Sequence, residues 1–267
     1  MLLKESKTGH TGKILTVTSV ESTNIKRALS EIRKLCDSSA INQQLRRGRT
    51  PADSTRFICS VGALLIALTI APIVVLAGGG NVLPGPAKPR GYSLSDMAAA
   101  TAFFNTGDHS LDTYPDTPFQ ILYVPKSSGP GPYSFTVSTG TMLYVPIFFS
   151  DDSPPVIGEF PTVNDRQAVL NYVYSPMELG AIDITIVVDG TKNSLGSDYV
   201  FGVGPVKLGD GPGTQYIGFA AFLTPLNKGT HTVEIIGSLN GAALLAAVSI
   251  PPGGFFQFDI QYIVSVR

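Results

Sequence analysis

Five aspartates in the C-terminal part of the chain are the residues best suited to bind a metal ion. Asp108, Asp112 and Asp116 lie in the stretch GDHSLDTYPD, and Asp151 and Asp152 are adjacent. Calcium prefers carboxylate and carbonyl oxygens, which loops supply readily. Neither group has the alternating acidic positions and closing glutamate of an EF-hand loop, so the alternative is that these carboxylates are solvated. Calcium is the only cofactor that the sequence suggests.

The histidines, serines and glycines form no recognisable catalytic pattern. The alternation around His231 places it on a strand face with Val233 and Ile235, which is typical of a histidine at the edge of a core. The stretch GSLNG at 237–241 has its serine in the wrong place for a nucleophile elbow and suits a turn. The stretch GDGPG at 209–213 lacks the lysine of a phosphate loop. We therefore predict no catalytic residue, although paired carboxylates of a glycoside hydrolase type depend on the fold and stay open.

The segment 57–77, FICSVGALLIALTIAPIVVLA, contains no charged residue. At about 1.5 Å per helical residue it is long enough to cross a hydrocarbon core of ~30 Å. It therefore predicts a transmembrane helix, or the hydrophobic region of a signal peptide, in contact with membrane lipid. The positive-inside rule places the N-terminus in the cytoplasm and the rest of the chain outside, because four arginines closely precede the segment: Arg46, Arg47, Arg49 and Arg56.

Whether the segment stays attached is a separate question. Small residues at its end would allow a signal peptidase to cut between Ala77 and Gly78, which would release the protein. The basic region before the segment is much longer than that of an ordinary signal peptide, which favours an uncleaved anchor. A wrongly assigned start codon would favour cleavage instead. The predicted localisation is therefore the cell membrane, with a single pass, or the outside of the cell.

Residues 1–56 differ from the rest of the chain in charge and composition. They carry eleven basic and five acidic residues and no aromatic residue, whereas residues 57–267 carry eight basic and fifteen acidic residues. This composition predicts a basic, mostly disordered cytoplasmic arm, with an amphipathic helix at 24–36 where apolar residues recur every three or four positions. The basic residues belong to no nucleic-acid motif, so we expect no nucleic-acid partner.

The region after the apolar segment predicts a mainly β domain. Residues 78–91 are rich in Gly and Pro and are typical of a linker, and residues 92–267 form the exported domain. Apolar residues alternate with polar ones in 182–188 and most clearly in 256–266, which indicates strands with one buried face. Further strands are predicted at 119–124, 133–138, 141–149, 199–203 and 216–224, and short helices at 95–104 and 164–174. The predicted fold is an antiparallel β-sandwich, jelly-roll or immunoglobulin-like, in which two half-buried sheets cover each other.

Three short patterns stand out between about residues 133 and 267. They are TGTMLYVPI at 139–147, VVDG at 187–190 with Tyr199, and LTPL at 223–226 with GTHTV at 229–233 and FDIQY at 258–262. Together they resemble a group of uncharacterised secreted bacterial proteins. The resemblance implies secretion and a β-sandwich, and it transfers no functional residue.

These observations favour a bacterial module with a binding or structural role at the cell surface and no catalysis. Its extracellular ligand would be a glycan or a protein. One alternative is a carbohydrate-recognition module. The chain has no Trp, so the stacking platforms would be tyrosines: Tyr114, Tyr123, Tyr133 and Tyr216. The other alternative is an extracellular hydrolase with a dispersed site.

Overall fold

The computed structural model describes residues 4–6, 14–17, 81–125 and 131–267. The fold is mainly β, with two mixed sheets and a few short helices. The helices are α1 (Leu94–Thr106), α2 (Arg166–Tyr174) and α3 (Ala242–Ala247). The strands are β1 (Lys4–Ser6), β2 (Ile14–Val17), β3 (Phe119–Ile121), β4 (Tyr133–Val137), β5 (Met142–Asp151), β6 (Ala181–Val188), β7 (Thr191–Ser194), β8 (Val200–Val203), β9 (Tyr216–Leu223), β10 (Gly229–Leu239) and β11 (Phe256–Val266).

The larger sheet, sheet A, is built around the C-terminal strand. Its order is β1-β2-β11-β10-β6-β7, and β4 also pairs with β11. Strand β10 pairs with the whole of β11, while β2 and β4 pair with different parts of its other edge. The predicted alternation in β11 is confirmed, because the apolar side chains at every second position are buried: Phe256, Phe258, Ile260, Tyr262, Val264 and Val266.

The smaller sheet, sheet B, has the order β3-β5-β9-β8. Strands β3 and β5 are parallel, as are β4 and β11 in sheet A. The prediction of purely antiparallel pairing is therefore wrong. The chain leaves sheet B after β3, forms β4 in sheet A and returns as β5, and parallel neighbours need a crossover of this kind.

Sheet B is buried on both faces, so the prediction of two half-buried sheets holds only for sheet A. In β9, Phe219 and Ala221 belong to a cluster shared with sheet A, whereas Ala220 and Phe222 belong to a second cluster beneath α1. Every residue of β9 is consequently buried. Four apolar residues of α1 belong to this second cluster: Leu94, Met97, Ala98 and Ala102. The amide of Asn105 donates a hydrogen bond of 3.1 Å to the hydroxyl of buried Tyr216.

A bulge changes the expected facing of residues in β6. Asp183 has a positive φ of 52°, and the register between β6 and β10 shifts at the same level. Because the bulge adds a residue to one strand, Ala181 and Ile184 are both buried while Ile182 is only half-buried. The alternation predicted from Ile182 onward is therefore correct only after the bulge.

Both predicted helices are present and begin at capping residues. Ser93 and Asp96 form a capping box at the start of α1, where the hydrogen bonds from Ser93 lower the pKa of the Asp96 carboxyl. At the start of α2, the carboxylate of Asp165 accepts hydrogen bonds from the backbone N–H groups of Gln167 and Ala168. These caps satisfy N–H groups that have no partner inside a helix.

Residues 81–83, inside the segment predicted to be a linker, are part of the fold. The backbone of Leu83 donates to the carbonyl of Phe222 at 2.9 Å, and the carbonyl of Asn81 accepts from Thr224 at 2.7 Å. The hydroxyl of Tyr199 also donates to the carbonyl of Leu83. Residues 81–83 therefore lie beside the C-terminal end of β9, where Val82 pairs with Leu223.

Several predictions concern regions that the structure does not describe: the helix at 24–36, the apolar segment 57–77 and the cleavage position between Ala77 and Gly78. In the described part of the chain, no helix is long and apolar enough to span a bilayer. Strand β2 pairs with Phe256–Phe258 of β11.

Candidate binding site on helix α2

The three aspartates of the GDHSLDTYPD stretch lie on the connection between α1 and β3. Asp108 accepts a hydrogen bond of 3.0 Å from the backbone of Ser110 and so shapes the turn. Asp112 and Asp116 are exposed, and Asp112 lies in the 3-10 turn Leu111–Thr113. Local backbone bonding of this kind is an ordinary role for aspartate in turns.

Of the adjacent pair Asp151 and Asp152, Asp152 joins the end of β5 to the segment before β9. One carboxylate oxygen of Asp152 accepts hydrogen bonds from the backbone N–H groups of Thr214 and Gln215, at 2.6 and 2.8 Å. Asp151 accepts from the backbone of Ser153. Among residues 81–125 and 131–267, no group of three or more acidic, histidine or cysteine side chains is placed to hold a metal ion. Calcium binding at these aspartates stays a prediction.

The two histidines of the domain are engaged in hydrogen bonds. The ring nitrogens of His109 lie 2.8 and 3.2 Å from the carbonyl oxygens of Val124 and Asn105. In His231, Nδ1 lies 2.7 Å from the carboxylate of Asp189, and Nε2 lies 2.8 Å from the carbonyl of Asn227. The bond to Asp189 raises the pKa of His231. His231 thus joins the β6–β7 turn to the start of β10, as expected for a histidine at the edge of the core.

Two of the four tyrosines expected to act as stacking platforms are buried and cannot contact a ligand. Tyr133 is 4% exposed because it faces the core from β4, and Tyr216 is 0% exposed because both faces of β9 are covered. Tyr114 is half-buried, and its hydroxyl accepts a hydrogen bond from the backbone of Ile121 at the edge of β3. Tyr123 is also half-buried. The prediction that all four are available to a ligand is wrong for Tyr133 and Tyr216.

Two carboxylates meet on the outer face of sheet A. Glu234 on β10 and Asp259 on β11 are close enough to hydrogen-bond to each other. Partial burial, followed by the charge and hydrogen bond of Asp259, raises the pKa of Glu234, while Lys192 acts in the opposite direction. The carboxyl groups of glycoside hydrolases stand about 5–9.5 Å apart so that a sugar or water fits between them, whereas a hydrogen-bonded pair leaves no such space. This pair does not support the hydrolase alternative.

Helix α2 is fixed to the domain on its inner side. Val169, Tyr172 and Val173 are buried, and the Tyr172 hydroxyl donates to the carbonyl of Ile157 at 2.8 Å. At the start of the helix, the guanidinium group of Arg166 donates to the backbone carbonyls of Val200 and Ser197. These contacts hold the helix rigidly, so the residues on its outer side have defined positions.

The outer side of α2 borders an open, shallow depression. Its volume is about 580 Å³. Tyr174 is its aromatic residue and is 38% exposed. The ring is held edge-on against Phe219, with 6.0 Å between the centroids. The depression is lined by Gln167, Leu170, Asn171, Tyr174 and Ser175.

The lining is uncharged and its polar groups are ordered by the helix. The side-chain amide of Gln167 donates to Asn171 across one helical turn, at 2.8 Å. The hydroxyl oxygen of Ser175 accepts from the backbone of Met177. Partial burial raises the pKa of Tyr174, Arg166 lowers it and Asp198 raises it. The two neighbouring charges have opposite signs, so the surroundings of the tyrosine favour neither anions nor cations.

Sequence reasoning did not single out this depression. The signal was present in the pattern of α2, where Gln167, Asn171 and Tyr174 recur at helical spacing opposite the apolar face. Periodicity separates an inner from an outer side, but it does not show that neighbouring loops leave a hollow beside the outer side.

No protein-family model, no curated protein and no solved structure matches this chain. The resemblance to secreted bacterial proteins stays a hypothesis.

Proposed function

We propose that this protein is a bacterial cell-surface module that binds an extracellular ligand through the depression on helix α2. The observation that carries the proposal is Tyr174, an exposed aromatic side chain in an uncharged hollow on a firmly packed helix. Binding sites typically combine an aromatic surface with a few fixed polar groups on a rigid scaffold.

The proposed architecture is a β-sandwich with a helix layer on one side. Its support is the cluster of buried side chains to which both sheets contribute. Across that cluster, the ring of Phe148 on β5 lies 6.2 Å from the ring of Phe258 on β11. Facing sheets with interdigitating side chains are the usual core of a sandwich.

The proposed location is outside the membrane, with segment 57–77 as an anchor or as a signal removed after Ala77. Support comes from the uncharged length of the segment and from the arginines that precede it. The pairing of β2 with β11 opposes both forms, because an anchor would hold residues 14–17 on the other side of the membrane and cleavage after Ala77 would remove them. Determining the N-terminal sequence of the protein from its native membrane or medium would distinguish anchored from cleaved forms.

The binding proposal is tested by presenting the full chain to the surface extract of its own cells and to purified cell-wall polymers. The Tyr174→Ala variant should lose most of the binding seen with the unchanged protein. Phe255→Ala is the matched control, because Phe255 is 39% exposed and does not line the depression. Equal binding by all three proteins would refute the assignment of the site.

A further inference from the structure

We infer that the ligand of the α2 depression is a neutral saccharide. The inference rests on the proposed binding function and adds the chemical class of the ligand. It follows from the lining, which joins one aromatic face to side-chain amides and a hydroxyl and contains no ionisable group other than the tyrosine.

The aromatic residue supplies a surface for the apolar face of a sugar ring. Tyr174 has a ring whose position is set by its edge-on contact with buried Phe219. A ring held in place loses little conformational entropy when a ligand packs on it. Tyrosine also carries a hydroxyl, so one side chain presents both an apolar face and a hydrogen-bonding group.

The amides supply both donors and acceptors, as a ligand rich in hydroxyl groups requires. Gln167 uses one of its two N–H donors on Asn171, and its carbonyl oxygen is an acceptor in no hydrogen bond that the structure describes. The NH2 group of Asn171 carries two further donors. Ser175 accepts from Met177 through its oxygen and retains an O–H donor. Each sugar hydroxyl both donates and accepts, so this mixture is complementary to it.

The charges near the site do not select an ionic ligand. Arg166 lowers the pKa of Tyr174 and Asp198 raises it, so the two charges oppose each other. The guanidinium group of Arg166 also donates to the backbone carbonyls of Val200 and Ser197. A charged ligand would gain no net attraction from this pair, which agrees with a neutral one. The open shape also suits one or two units of a chain rather than an enclosed small molecule.

The experiment is an array of neutral oligosaccharides, namely glucans, mannans, galactans and N-acetylglucosamine oligomers, probed with the full chain in a detergent that has no sugar headgroup. We expect at least one of these to bind. For that oligosaccharide Tyr174→Ala should raise the Kd about tenfold, whereas Tyr174→Phe should change it by about threefold or less. Asn171→Ala should also weaken binding, and Phe255→Ala should not.

Each other outcome overturns the inference in a distinguishable way. Binding that tolerates Tyr174→Ala would place the saccharide elsewhere on the protein. Absence of binding to every neutral oligosaccharide, together with Tyr174-dependent binding to a protein or acidic polymer from the cell surface, would overturn the saccharide assignment and keep the binding function. Absence of Tyr174-dependent binding to both groups of probes would overturn the inference and the proposed function together. Circular dichroism of each variant would show that it is folded.

Discussion

Phe258 and Gly237 form a pair whose energetic coupling tests the register of sheet A. The two residues are directly opposite on β11 and β10. The ring of Phe258 is 2% exposed and lies over the glycine. A β-carbon added at Gly237 would come within 3.0 Å of Cε1 of this ring and closer still to Cζ, and within 2.7 Å of the terminal methyl of Ile184. The glycine is therefore required by the ring that covers it.

Three variants separate the contribution of the ring, the cost of a methyl group at position 237 and the coupling between the two. Phe258→Ala removes a buried aromatic side chain, and we expect a loss of about 3–5 kcal/mol in the free energy of unfolding. Gly237→Ala should cost about 1–3 kcal/mol, because the new methyl group overpacks the site. In the double variant the methyl group enters the space that the ring has left. The double variant should consequently lose about 1–3 kcal/mol less unfolding free energy than the sum of the losses of the two single variants.

The measurement is chemical unfolding of residues 81–267, followed by circular dichroism and compared with thermal melts. Gln257→Ala, on the outer face of β11, and Gly196→Ala, where a β-carbon would meet nothing within 4 Å, are the matched controls, each expected to change stability by about 0.5 kcal/mol or less. Strict additivity of the two single variants would mean that the ring does not cover Gly237. Equal losses for Phe258→Ala and Gln257→Ala would refute the strand register.

Four further outcomes are expected. Residues 81–267 should melt as a β domain at a higher temperature than residues 92–267, because 81–83 supply backbone hydrogen bonds worth about 0.5–1.5 kcal/mol each; equal melting would contradict this. Glu234→Gln should raise the melting temperature at pH 7 but not at pH 4. The pKa of Glu234 is raised in the folded state, so its contribution to stability is present at low pH and is lost as the pH rises through that pKa, whereas glutamine does not ionise. Glu159→Gln is the exposed control. The pKa of His231 is also raised, so its contribution is complete below about pH 6.5 and is lost as pH rises through the folded value; His231→Gln should flatten that part of the profile, and an unchanged slope would contradict the pairing. A membrane-impermeant thiol reagent should leave Cys36 unmodified in intact cells, because the positive-inside rule places the arm in the cytoplasm; labelling of Cys36 in sealed cells would reverse the proposed topology.

Much of the local structure could be predicted from the sequence, because the relevant signals involve neighbouring residues. The alternation in 256–266 identifies a strand and its buried face, since successive side chains point to opposite sides of a strand. The helix predicted at 164–174 is present as α2, which starts directly after Asp165, and the carboxylate of Asp165 caps the N–H groups two and three residues later. The uncharged length of 57–77 likewise predicts an affinity for lipid without reference to any fold.

The candidate site and the relations between sheets were decided only by tertiary structure. The run YIGFAAFL in β9 has no alternation and is typical of a strand buried on both faces, but it does not reveal that α1 is the element that covers the second face and buries Tyr216. The meeting of Glu234 with Asp259 depends on the register of β10 against β11, which no local pattern specifies. The parallel pairing of β3 with β5 arises because β4 joins the other sheet.

The sequence by itself determined which residues of each element share a face and where several elements begin, because these properties follow from the repeat of a strand or a helix. It did not determine what lies against each face. Tyr174 illustrates the difference: its position on the outer side of α2 follows from helical periodicity, but its exposure beside a hollow depends on how the helix packs on β6 and β8. Contacts between distant segments are set by the packing of the whole chain, and they create the depression that we propose as the binding site.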